Sequence, residues 1–123
     1  MTLREQQELI LNALNGGRGE QQQLIAEVGL AWVSTLLRKN HDYGGSVFKS
    51  PLLSPSLSPL SAIDVRLSDK IERIQTLLTK NSEVDESVDD TFTDLGAYCL
   101  LRKVAKIINE KQPINPSNDK TTT

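Results

Sequence analysis

Four carboxylates and three cations pose the chemical question. In the segment that ends at Lys111, Glu86, Asp90 and Asp94 recur at steps of four, and Ala97, Leu101, Val104 and Ile108 continue the same face. At ~100° per residue such a run lies on one side of a helix. Because the far end of that side is apolar, the acids are expected to face the core rather than water. Buried carboxylates cost free energy unless paired or bound to metal, and like charges at i,i+4 destabilise a bare helix. A divalent cation meets both objections. Hard oxygen ligands suit Mg2+, with Mn2+ as a substitute. Helix capping explains part of the pattern without any metal. Ser87 and Asp90 fit a capping box, and acids are favoured in a first helical turn. Capping does not account for Asp94, further in on the same face.

The segment before it carries the cations. Arg66, Lys70 and Arg73 stand at steps of four and three along the edge of an apolar stripe, with Asp69 beside them. If two such helices face each other, the carboxylates hold metal while Arg and Lys take phosphate oxygens. A solvated charged edge, with Asp69 paired to Arg73, is the simpler alternative. Glu72 points away from the stripe and is expected in solvent. Lys39, Asp42 and Tyr43 lead into Gly44-Gly45, where a backbone without Cβ can approach a ligand closely. A plain helix stop explains those residues equally well.

Positioning these groups requires helices. A short helix is expected over residues 2–14, with Leu3, Ile10 and Leu14 on one side and Gly16-Gly17 ending it. A second runs from about 20 to 40, with Leu24, Val28, Ala31, Thr35 and Lys39 in helical period beside Ile25, Trp32 and Leu36. Residues 44–59 hold two glycines, three prolines and five serines, which predicts a long loop rather than a helix. Ser58-Pro59 is a helix start. From there to about Lys80, Ile63, Leu67, Ile71, Ile74 and Leu78 form an amphipathic stripe. The last helix begins near Asp85 and stops at Pro113. The pattern is that of an all-α helical bundle: three main helices plus a short N-terminal one in a single domain, residues 1–112, with a disordered tail at 113–123.

Composition narrows the partners. The chain has 123 residues, a net charge of −2 and only 37% hydrophobic residues. Nothing global favours nucleic acid. Cys99 is the only cysteine, which excludes an internal disulfide and a cysteine-based zinc site. No apolar run has membrane-spanning length, and a soluble, cytoplasmic protein is expected. A bundle this small has little core of its own, so a homodimer or homotetramer is expected.

Three stretches then occur in order: Lys39-Asn40-His41-Asp42-Tyr43-Gly44, Arg66-Leu67-Ser68-Asp69-Lys70-Ile71-Glu72-Arg73, and Glu86-Ser87-Val88-Asp89-Asp90-Thr91-Phe92-Thr93-Asp94-Leu95-Gly96-Ala97-Tyr98. Together they resemble the phage-associated nucleotide modification associated domain group. That group is similar to the all-α NTP pyrophosphatases, which include MazG-like enzymes and dimeric dUTPases. The resemblance covers about half the chain. It implies hydrolysis of a (deoxy)nucleoside triphosphate, with dGTP and dATP as candidates, to the monophosphate and pyrophosphate. It also implies Mg2+ on helix carboxylates and assembly into dimers or tetramers. The MazG pattern, Glu-x-x-Glu then Glu-x-x-Asp, is matched formally by Asp69-x-x-Glu72 and Glu86-x-x-Asp89. The helical wheel favours Glu86, Asp90 and Asp94 instead, with Asp69 from the preceding helix.

The expected site therefore has Asp69, Glu86, Asp90 and Asp94 as metal ligands, with Glu86 alternatively the general base. Lys39, Asp42, Tyr43, Arg66, Lys70 and Arg73 would bind substrate, and Trp32 is a distant stacking candidate. Other hydrolase classes fit poorly. One histidine is too few for an HD phosphohydrolase, and no P-loop is present. The rival of another class is a non-catalytic helical interaction module, indifferent to metal.

Overall fold

A computed structural model describes residues 1–79 and 88–111. Every regular element among them is helical: α1 (Leu3–Leu14), α2 (Glu20–Asp42), one 3-10 turn (Ser46–Phe48), α3 (Pro59–Thr79) and α4 (Val88–Lys111). The expected all-α class is what the chain adopts. The expected helix start near Asp85 and the expected tail at 113–123 lie outside the described residues. No helix among the described residues is long and apolar enough to cross a membrane. The chain divides into two compact units, Met1–Gly44 and Gly45–Thr123.

In the first unit α1 packs on α2. Thr2 and Glu5 close a capping box: the Thr2 hydroxyl accepts the Glu5 N–H at 3.1 Å, and the Glu5 carboxylate accepts the Thr2 N–H at 3.2 Å. The bond from the Thr2 N–H, with the hydroxyl contact second, holds the Glu5 carboxyl below its ordinary range. Gly16 adopts φ 80° to turn the chain, a conformation costly for any residue with a Cβ. The buried residue of α1 is Ala13, whereas Leu3 and Ile10 are exposed. On α2 no residue is buried. Trp32 and Leu36 are half-buried, while Leu24, Ile25 and Val28 of the expected stripe are exposed.

The expected loop, which leads from the first unit into the second, is a series of turns, closed by hydrogen bonds from Ser54 N–H to the Pro51 carbonyl and from Leu57 N–H to the Ser54 carbonyl as well as by the 3-10 turn. Gly44 and Gly45 take φ 61° and 71°, and the Ser46–Phe48 turn that follows packs on α3 with Val47 and Phe48 half-buried. Ser58 caps α3 as expected, its hydroxyl accepting the Ser61 N–H at 3.1 Å. α3 and α4 form an antiparallel hairpin, because Asp64 pairs with Arg102 while Lys70, further along α3, pairs with the earlier Asp94. Ala62, Ile63 and Ile74 from α3 meet Thr91 and Ala105 from α4 in the core.

The contact line of α4 corrects the wheel. Thr91, Tyr98 and Ala105 recur every seven residues, as do Leu95 and Arg102 between them, and all five are buried or half-buried. This is the spacing of a helix-pair seam. Asp90, Asp94, Leu101 and Ile108 occupy the flank of that seam. Asp90 is exposed rather than core-facing. A carboxylate on the flank keeps its hydration, which a place on the seam would remove. On α3 the stripe is likewise narrower than expected, with Ile71 and Leu78 exposed.

Candidate functional site

Lys70 is the cation that the fold treats differently. Ile63, Leu67, Lys70 and Ile74 succeed one another at steps of four, three and four on the face that α3 turns to α4. A lysine on that line must carry its stem over apolar surface and its ammonium to the rim. It does so by donating from Nζ to Asp94 Oδ2 at 3.2 Å, with side chains 18% and 51% exposed respectively. The structure thus joins one expected phosphate ligand to one expected metal ligand.

The neighbouring charges are arranged around this pair. Asp90 lies one turn before Asp94 on α4. Arg66 and Arg73 lie one turn to either side of Lys70, Arg66 half-buried and Arg73 exposed with an interaction partner of its own. Asp69 and Glu72 are exposed. Among the described residues no three His, Cys, Asp or Glu side chains converge as a ready metal cluster, and Asp94 is paired with Lys70. Glu86, the expected base and ligand, lies outside the described residues. Lys39, Asp42 and Tyr43 belong to the first unit, at the end of α2. There Tyr43 N–H donates to the Lys39 carbonyl at 2.9 Å, and His41 Nδ1 lies 3.4 Å from Asp42 Oδ1.

One ion pair was not anticipated. Arg102 donates to both carboxylate oxygens of Asp64, the second contact at 3.4 Å. The hydrogen bond from Arg102, more than the charge, holds the Asp64 carboxyl below its ordinary range, and Asp64 raises Arg102 in turn. The sequence signal was present: Arg102 sits on the seven-residue line of α4, and a cation there requires an anion opposite.

A second unanticipated feature is a cleft of about 180 Å³ at the other end of the hairpin, where the 3-10 turn, the start of α3 and the end of α4 meet. Phe48, Pro59, Leu60, Ala105, Ile108 and Asn109 line it, with Ser58 at its edge.

Fold and site together define a class: an all-α domain whose two longest-packed helices carry a charged flank beside an apolar seam. The model of the family described as nucleotide modification associated domain 1 matches residues 39–105, more than half of the chain, and the chain belongs to that family. No curated protein and no solved structure matches it.

Proposed function

We propose that this chain is a Mg2+-dependent nucleoside triphosphate pyrophosphohydrolase. The observation that carries this is the Lys70–Asp94 contact. It puts the cationic strip of α3 beside the acidic flank of α4, inside a domain whose family concerns nucleotides. Mg2+ typically takes only one or two carboxylates and completes its shell with water and substrate phosphate. Asp90 and Asp94, one turn apart and both open to solvent, fit that demand without a preformed cage. Glu86 would join them, while Asp69, exposed on α3, forms no cluster with the two among the described residues. When bound, Mg2+ neutralises polyphosphate charge and lowers the pKa of a water molecule.

The protein's own part is mainly positioning and charge neutralisation, as in phosphoryl transfer generally. Water attacks the α-phosphorus, the bond from that phosphorus to the bridging oxygen breaks, and pyrophosphate leaves. Lys70 neutralises phosphate oxygens while holding Asp94 in place, and Arg66 and Arg73 extend the cationic strip along α3. Glu86 serves as base or ligand. Candidate substrates include dGTP and dATP. Assembly as a homodimer or homotetramer belongs to the same reading. On α2, Leu24, Ile25 and Val28 lie on one side and Leu30, Val33 and Leu37 on the other, all exposed, a two-sided apolar pattern suited to a second copy.

The test is a product assay across the common NTPs and dNTPs. Metal-dependent release of pyrophosphate with the monophosphate is expected. Orthophosphate as first product, or full activity in EDTA, refutes the mechanism.

A further inference from the structure

We infer that the cleft between the 3-10 turn and the hairpin end is an adenine pocket, which extends the hydrolase reading and rests on it for the phosphate end of the ligand. The size is the first argument. An engineered apolar cavity of about 150 Å³ holds benzene. A cleft of about 180 Å³ therefore suits one planar heterocycle rather than a whole nucleotide. Its walls are Phe48 and the aliphatic carbons of Pro59, Leu60, Ala105 and Ile108, and an aromatic face is a stacking platform for a base.

Unused hydrogen-bonding groups are the second argument. The Asn109 side-chain amide bonds to no other described residue. It offers one donor and one acceptor, the complement of the adenine edge that presents an amino group and N7. Guanine presents two acceptors on the same edge and matches an amide less well. In the first turn of α3 the Ser61 N–H is taken by Ser58 and the Ala62 N–H by the Ser58 carbonyl, while Pro59 has none. That leaves the N–H of Leu60, a lining residue, without a partner among the described residues.

Continuity with the charged flank is the third. Pro59, Arg66 and Arg73 are spaced by seven on α3, and Ile108, Leu101 and Asp94 by seven on α4. Residues seven apart lie on nearly the same side of a helix. Pro59 and Ile108 both line the cleft, so the flank that starts there leads over Arg66 to the Lys70–Asp94 pair. Arg66 lies ~10 Å along α3 from Pro59 at ~1.5 Å per residue. Helical side chains lean toward the N-terminus, so the Arg66 guanidinium is carried back toward the cleft. A nucleotide with its base in the cleft would lay its phosphates along that flank.

The test uses the full chain and adenosine, which carries no phosphate. In amide NMR titrations adenosine should shift the Leu60 and Ala105 signals saturably and guanosine should bind more weakly. Phe48→Leu should lower adenosine affinity on the order of tenfold or more. Asn109→Leu, at an exposed position, should reduce the preference over guanosine without unfolding the chain. Arg66→Gln should weaken dATP but not adenosine. No saturable shift with adenosine, equal binding of guanosine, or unchanged binding by both cleft variants overturns the pocket. Adenosine binding without hydrolysis of any NTP would uphold the pocket and remove the hydrolase. Pyrophosphate release from dATP with an unchanged KM in both cleft variants would do the reverse.

Discussion

Replacing Asp94 by Asn separates its structural role from its proposed chemical one. Among the described residues its partner is Lys70, at 3.2 Å, with the ammonium largely covered and the carboxylate half open. Exposed pairs contribute about 0.2–1 kcal/mol. The cover on Lys70 places this one near the top of that range, so Asp94→Asn should lose about 1 kcal/mol. For a chain of 123 residues that corresponds to roughly 3–6 °C in Tm. Asp90, exposed and one turn away, should change stability by less than about 0.5 kcal/mol as Asn. Activity should not follow this order. Both Asn variants should lose pyrophosphate release by at least ~100-fold, the scale for removing one group aimed at developing charge. Glu72→Gln, on the exposed side of α3, should keep most of it. Urea denaturation of Asp94→Asn, Lys70→Met and the double variant gives the pair energy directly, and about 0.5–1 kcal/mol of coupling is expected. Zero coupling would mean that the pair does not form in solution. An active Asp94→Asn with a dead Glu72→Gln would mean that the ligands follow the Glu-x-x-Glu spacing rather than the α4 flank.

Other expectations follow from burial, charge and exposed surface. Ile63→Ala should cost about 2–4 kcal/mol by chemical denaturation, and Ile71→Ala well under half of that, because Ile63 is fully enclosed while Ile71 is 48% exposed. Asp64 is depressed in the folded state by Arg102, so its stabilisation is complete above the unfolded value near 3.9 and is lost as pH falls through the lower folded value. Asp64→Asn should therefore flatten the acid limb of a stability–pH profile below about pH 4; a limb identical to that of the parent would refute this. Light scattering should show at least a dimer at micromolar concentration, and a monomer would leave the exposed face of α2 without its proposed partner.

The helices were legible because their ends are marked by chemistry that acts locally. Thr2 and Ser58 cap with their own hydroxyls, and Gly16, Gly44 and Gly45 turn the chain at positive φ. The 3-10 turn was not legible, since its stability comes from Val47 and Phe48 meeting α3, a contact that no local pattern announces. The charged strip of α3 and the acids of α4 were found by spacing alone. Their relation was not. A wheel finds a face but cannot say whether its centre or its edge meets the neighbouring helix, and the seam of α4 runs through Thr91, Tyr98 and Ala105. Read as a problem of charge on an apolar line, Arg102 and Lys70 would have pointed to their partners. The cleft depends on three segments distant in sequence.

The two bridges across the hairpin also have opposite polarity. α3 gives the anion at Asp64–Arg102 and the cation at Lys70–Asp94. A seam that repeats every seven residues has a built-in ambiguity, because sliding one helix by about a heptad returns apolar groups to apolar groups. Here such a slip in one direction sets Asp94 against Asp64, and in the other sets Arg102 against Lys70. Each mis-set hairpin confronts like charges, so the repulsion falls on the decoys and not on the native alignment. The four paired charges thereby act as a key for assembly, admitting one alignment of α3 on α4 while the chain is still finding its fold.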